Sequence, residues 1–294
     1  MKRTKVNKAD AILTADYHLR EDNPICRIDY FLDTQIQKMK FIQQLQVKHN
    51  CPVIHAGDLF NHWKASPYLI TLALNYLPKN MFTVAGNHDL PNHNIDLLDK
   101  SALNTLIHAK AINYLSGVHW GQKPKNESLT IEGRKILVWH VMTWKDDPPW
   151  PGCTDPKAKD LLEEFLQYDL IVTGHNHNSF VEELNGRILV NPGSITRQTA
   201  DQEFYQPKVF LWYAKTNSVQ SIFIPIEKGV ISREHIEHKE ERDSRIKAFV
   251  ERLNNDWEVG VSFEANLERF QKENRIRSSV MEIVRAAIDL GGVK

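Results

Sequence analysis

Five short stretches of this chain end an apolar run in side chains that can ligate a metal or move a proton. They read "TADYHL" (14–19), "AGDLF" (56–60), "AGNHD" (85–89), "VWHVM" (138–142) and "TGHNHN" (173–178). In order they supply Asp16 and His18, then Asp58, then Asn87, His88 and Asp89, then His140, and last His175 and His177. Turn chemistry accounts for any one of them: Gly and Asn tolerate positive φ, Asp bonds its own backbone, and a lone strand-end His is commonly a satisfied polar group. It does not account for five in succession. Imidazole, carboxylate and amide donors without thiolate suit Mn2+, Fe or Zn2+, and Mg2+ less because it rarely accepts imidazole. Two such ions about 3.5 to 4 Å apart need a bridging carboxylate, neutral ligands on both sides and room for a bridging water. The pair would acidify that water, polarise a phosphoryl oxygen and neutralise the charge of an in-line displacement, with no protein nucleophile required.

These side chains need strands to carry them. "AILTA" (11–15), "CPVIHA" (51–56), "MFTVAG" (81–86), "KILVWHV" (135–141) and "LIVTG" (170–174) are short apolar runs of buried-strand type. Helical spacing of Ile28, Phe31, Leu32, Ile36, Met39 and Ile42 separates the first two, and 156–167 reads as a further helix. This is a βαβ style of chain, and open α/β sheets place ligands at the C-terminal ends of their strands. Asp16 and His18, two apart on an extended chain, are expected to point the same way, as are His175 and His177. The runs "GRILVNPG", "KVFLWYA" and "QSIFIPI" follow as strands joined by turns, which predicts a second, more antiparallel sheet. From about Ile231 the chain becomes charge-rich and helical, with apolar positions Phe263, Leu267 and Phe270, then Val280, Ile283, Val284 and Ile288.

Composition bounds the rest. The 294 residues are 41% hydrophobic and 25% charged, enough for one large α/β domain with an appendage or for two modest domains. Formal net charge is zero, so a polyanion must be gripped by a local patch or by metal rather than by the molecule as a whole. Cys26, Cys51 and Cys153 form no C-x-x-C pair and indicate neither a disulfide framework nor a thiolate metal site. No run of about 18 apolar residues is present for a membrane span, and no apolar leader precedes the first motif; a cytoplasmic address is expected.

In these five motifs and their order, over roughly residues 10 to 225, the chain resembles the calcineurin-like metallophosphoesterases. The resemblance implies an α/β fold in four layers, two mixed β-sheets packed face to face and flanked by helices. It implies that Asp16, His18, Asp58 and His177 hold one divalent ion and that Asp58, Asn87, His140 and His175 hold the other, with Asp58 as the bridge. His88 would face the substrate and Asp89 would orient its ring. A positioned acid at His88, protonating a departing alkoxide, is worth about 10² to 10⁴ in rate.

Within that family, "GDLFNHWKASP" and "VNPGSITRQTADQEF" are most similar to the SbcD-type nuclease subunits of DNA double-strand-break processing. Many relatives carry His directly after G-D-L-F, where this chain has Asn61 followed by His62; these two are candidate substrate contacts, as is Arg197, after "NPGSIT", which could equally pair with a surface acid. The likeness also implies DNA as substrate and an SbcC-type coiled-coil ATPase as partner, and leaves a homodimer open; of the metals the donor set suits, Mn2+ is expected to support activity, with Fe or Zn2+ open. Residues 1–230 are read as the catalytic domain and 231–294 as a helical segment, a minimal cap or a docking element. A small-molecule phosphodiesterase, acting for instance on cyclic nucleotides, fits the core motifs equally; a non-catalytic scaffold would be expected to have lost ligands, and none of the expected positions is missing. Lys2, Arg3, Lys5 and Lys8 form a basic arm, Lys145 is a further phosphate candidate, and Trp139, Trp144 and Trp150 read as a loop packed by aromatics rather than as base-stacking platforms.

Overall fold

The structure is a computed structural model describing residues 8–125, 128–255 and 263–290; Lys2, Arg3 and Lys5 of the basic arm fall outside them. It divides into two units, Met1–Ser232 and Arg233–Lys294.

The first unit runs β1 (Ala11–Thr14), α1 (Phe31–His49), β2 (Val53–His55), α2 (Pro67–Tyr76), β3 (Met81–Ala85), α3 (Ala102–His108), β4 (Asn113–His119), β5 (Leu129–Ile131), β6 (Arg134–Trp139), α4 (Ala158–Glu164), β7 (Leu170–Thr173), β8 (Phe180–Leu184), β9 (Arg187–Asn191), β10 (Lys208–Tyr213) and β11 (Ser218–Phe223). Among the described residues one sheet has the order β11-β10-β1-β2-β3-β4 and the other β5-β6-β7-β9-β8. β1, β2, β3 and β4 pair in parallel, as do β6, β7 and β9, while β10, β11, β5 and β8 join antiparallel.

Strand alternation assigns the core. Leu13, Ile54, Val84, Phe210 and Trp212 share one apolar cluster with Leu137, Ile171 and Leu189 of the second sheet. Their sequence neighbours Ile12, Val53 and Leu211 belong to another cluster, with Met39 and Ile42 of α1, Leu69 and Ala73 of α2, and Leu103 and Leu106 of α3. Leu161 and Leu162 of α4 complete the first cluster. The result is four layers, helices and sheet against sheet and helix, with two mixed sheets. Each fully buried Leu or Ile contributes about 1.5 to 3 kcal/mol. Helix boundaries follow local chemistry: Asn50, left-handed at φ 53°, closes α1, and α2 opens with Ser66 accepting from the Leu69 N–H and Pro67 in the first turn.

The expectation that "GRILVNPG", "KVFLWYA" and "QSIFIPI" together form a second, more antiparallel sheet is corrected. β9 lies parallel to β7 in the second sheet, whereas β10 and β11 form a hairpin that extends the first sheet through antiparallel pairing of β10 with β1.

The second unit contains α5 (Glu234–Asn255), α6 (Phe263–Glu273) and α7 (Ser278–Leu290). Leu267, Met281 and Val284 form its small core, with Phe249, Phe270 and Ile276 packed against it. Val280 and Ile283 remain exposed. No described helix is long and apolar enough to cross a membrane.

Candidate metal centre

The candidate ligands leave the sheets through strained backbone. Asp16 and His18 follow β1 with φ of 51° and 47°, Asp58 follows β2 at 57°, and His175 follows β7 at 75°. Left-handed φ is uncommon outside Gly, and clusters of it mark sites where the fold imposes a geometry. Asp16 and His18 do converge on one group, as expected, but through left-handed turns rather than an extended chain, whereas the expectation that His175 and His177 point the same way is corrected, since they join different groups.

Two groups have the donors for a metal, Asp16 with His18 and His177, and Asp58 with His140 and His175. A third, His18 with Asp58 and His88, overlaps both, sharing His18 with the first and Asp58 with the second. Asp58 lies between them: its Oδ2 is 3.5 Å from His18 Nε2 and 3.3 Å from His140 Nε2. Asp16 Oδ1 is 4.0 Å from His18 Nε2, whose distance to His177 Nε2 is 3.1 Å. Asn87 Oδ1 stands 3.0 Å from His140 Nε2 and 2.9 Å from His175 Nδ1. Gly86 permits this: a Cβ there would collide with the Asp58 carboxylate.

The residues fit a cation on their own chemistry. Ala56 O accepts from His140 Nδ1 at 2.7 Å, so a neutral His140 directs the lone pair of Nε2 at two oxygens, Asp58 Oδ2 and Asn87 Oδ1. Acceptors facing acceptors in a buried site call for a positive charge between them. Without one, burial pushes Asp16 up to about 8. Burial works against the Asp58 charge too, but His140 and His18 hold that carboxyl well below its usual range. Burial would depress His140, yet Asp58 holds it at about 9. Burial lowers His18 to about 3, His175 to about 4, and His177 also, leaving these imidazoles neutral as a ligand must be.

His88 sits beside this group. Its ring meets His18 edge-on at 4.7 Å, its backbone N–H donates to Asp58 Oδ1 at 2.9 Å, and its Nδ1 donates to Asn61 O at 2.7 Å. This corrects the reading of Asp89. The Asp89 carboxylate turns into the protein and accepts from the backbone N–H groups of Leu59, Phe60 and Gly86, tying the third strand-end loop to the second. The group orienting His88 is a carbonyl, invisible in a residue-type pattern.

Three expected substrate contacts are likewise relocated. Asn61 serves through its backbone oxygen. His62 is exposed, and its Nδ1 accepts from the Lys64 N–H. Arg197 is buried and donates to Glu203 O and Glu227 O. Lys145, too, is engaged, with Val181 O and the Glu182 carboxylate. Trp139 and Trp144 pack locally, against Phe165 and beneath Lys157.

Sequence reasoning missed two neighbours of the centre. Trp120 lies on His175 at 4.4 Å between ring centroids and meets His140 edge-on at 5.9 Å. His93 donates from Nδ1 to Asn87 O at 2.9 Å. An isolated "HW" after a polar strand carries no signal at residue level; for His93 the only one was its place in "NHDLPNH".

Parallel strands ending in a buried set of carboxylates, an amide and imidazoles, within a two-sheet sandwich, define a metal-centred α/β phosphoesterase type. The chain belongs to the calcineurin-like phosphoesterase superfamily, whose domain model matches residues 12–211; the family uses divalent metals. It is 32% identical over 121 residues to the probable metallophosphoesterase MJ0623 of Methanocaldococcus jannaschii, covering 41% of this chain and 60% of the relative. It is 29% identical over 130 residues to the uncharacterized protein MJ0912 of the same organism, covering 40% of this chain and 48% of that protein. Among solved structures, a novel archaeal phosphodiesterase aligns with 73% of this chain and 99% of its own at 15% identity and a TM-score of 0.44. Vacuolar protein sorting 29 of Cryptosporidium parvum aligns with 76% of this chain and 100% of its own at 18% identity and a TM-score of 0.37.

Proposed function

We propose that the chain is a metal-dependent phosphodiesterase acting on DNA, an SbcD-type nuclease working with a coiled-coil ATPase of SbcC type. The observation that carries the hydrolytic reading is Asp58 between His18 and His140, with the His88 ring against the first group. Asp16, His18 and His177 would hold one ion, Asn87, His140 and His175 the other, and Asp58 both. Two divalent ions, with Mn2+ the one expected to support turnover, supply the Lewis acidity and charge neutralisation of phosphoester hydrolysis when bound.

The chain's own groups do the remainder. Because His88 Nδ1–H is given to Asn61 O, Nε2 is the atom that gains and loses the proton, and it is the one available to a departing alkoxide. His93 and Trp120 brace Asn87 and His175 from outside the ligand set. Asp89 fixes the spacing of the loops that carry Asp58 and His88.

DNA as substrate is supported by the likeness of "GDLFNHWKASP" and "VNPGSITRQTADQEF" to the nuclease subunits. Residues 231–294 are proposed as the element that docks the ATPase. Among the described contacts neither Arg197, which donates to Glu203 O and Glu227 O, nor the half-exposed Lys145, held by Val181 O and Glu182, touches a residue of the metal centre, which favours the competing reading, a small-molecule phosphodiesterase. The deciding experiment compares Mn2+-loaded protein on single- and double-stranded DNA with a cyclic nucleotide at equal concentration, using His88→Ala as control for contaminating nuclease. His88-dependent DNA cleavage, weak alone and falling with salt, supports the nuclease. Efficient cyclic-nucleotide hydrolysis without it assigns the small-molecule class.

A further inference from the structure

Outside the metal centre, three buried cations come to one place. Arg27, Lys38 and Arg197 are 6%, 5% and 5% exposed. Arg27 is paired with Asp29 at 2.5 Å. Among the described residues neither Lys38 nor Arg197 has a carboxylate within 4 Å: Lys38 Nζ donates to Pro225 O at 3.2 Å, and Arg197 to the carbonyls of Glu203 at 2.7 Å and Glu227 at 2.6 Å. Carbonyls satisfy N–H groups without neutralising charge, and burying an uncompensated cation is costly. Burial, with Arg197 and Arg27 adding repulsion, lowers Lys38 to about 7.

All three line a cavity of about 450 Å³ between α1 and the segment after β11. Thr34 and Gln37 offer polar groups at its α1 side, the exposed Lys40 and Glu227 add one charge of each sign to its lining, and Phe41 and Ile224 give it an apolar wall. The volume lies within the range of about 300 to 1,000 Å³ usual for small-molecule sites.

We propose that this cavity binds a small organic phosphate monoester, its phosphate neutralising Lys38 and Arg197 and its organic part lying on Phe41 and Ile224. A phosphate dianion supplies the two charges that the protein leaves out, and charge-assisted bonds to ammonium and guanidinium are the strong kind. The site is independent of the metal centre and of the substrate reading above.

The test is calorimetric titration of the metal-loaded protein with inorganic phosphate and with adenosine monophosphate. Inhibition of bis-p-nitrophenyl phosphate hydrolysis separately reports phosphate at the metals. The wild type is expected to show a class of sites that does not inhibit, with adenosine monophosphate bound about tenfold tighter than phosphate through the apolar wall. Lys38→Met should lose that class, keep inhibition unchanged and melt no lower than wild type at neutral pH. Gln37→Glu, at an exposed position of α1, should weaken the class about tenfold and decides the matter if Lys38→Met fails to fold. Phosphate binding unaltered in either folded variant, or a wild type whose sites all inhibit, overturns the proposal. Equal affinity for the two probes overturns the organic part of the ligand. Absence of hydrolysis would sink the metal-centre reading while leaving the titration interpretable.

Discussion

The indole of Trp120 lies on the imidazole of His175, centroids 4.4 Å apart and planes tilted by 33°. A ring so placed fixes His175 and shields one side of it from water, as groups just outside a ligand set generally do. Trp120→Ala is therefore expected to weaken metal retention in the Asp58, His140 and His175 group about tenfold, with Trp120→Phe recovering most of it. Metal content after dialysis is the measurement, and an alanine variant that holds both ions as wild type does would reduce Trp120 to a cover.

Asp58 touches both groups, so its removal should not act on one alone. In Asp58→Ala the two ions are expected to be lost together and hydrolysis with them, whereas His18→Ala or His177→Ala should deplete mainly one. Elemental analysis distinguishes these outcomes; full two-metal occupancy in Asp58→Ala would remove Asp58 from the bridge.

His88 and Asp89 are adjacent in sequence and are expected to separate by readout. His88→Ala leaves the Asp58 contact to the backbone N–H intact, so metal content and melting temperature should hold while turnover falls about 10² to 10⁴. Asp89→Asn puts an amide NH2 against backbone donors in a fully buried site, at about 1 to 3 kcal/mol of stability. Its melting temperature should drop whether or not activity follows. A stable Asp89→Asn with selectively lost turnover would return Asp89 to the role of orienting His88.

This division shows where residue types were enough and where they were not. Metal donors at strand ends are chemically distinctive, so Asp16, Asp58 and His140 stand out of the sequence. β4 does not: "NYLSGVH" breaks its apolar run at Ser116 and Gly117, so nothing in the pattern marks Trp120 beyond it. β8, "FVEEL", carries adjacent glutamates and lacks alternation. The sheet membership of β10 is fixed by its pairing with β1, some two hundred residues earlier, and nothing local encodes it. His88 is oriented by a backbone carbonyl, which every residue possesses and no pattern can display.

Lys38 gives a pH signature. Its folded value, about 7, lies below its ordinary value of 10.5 because of burial and the nearby Arg197 and Arg27, with Asp29 opposing. Between those two pH values the unfolded chain binds more protons than the folded one, so stability rises with pH there. The penalty is complete below about pH 7 and fades toward pH 10. The melting temperature of wild type relative to Lys38→Met should thus climb from pH 7 to pH 9.5 in buffers free of phosphate. Saturating phosphate, by pairing the ammonium, should raise the folded value and flatten the climb. A difference that does not vary with pH would mean that Lys38 is charged and compensated in the free protein, leaving no charge for a phosphate to neutralise.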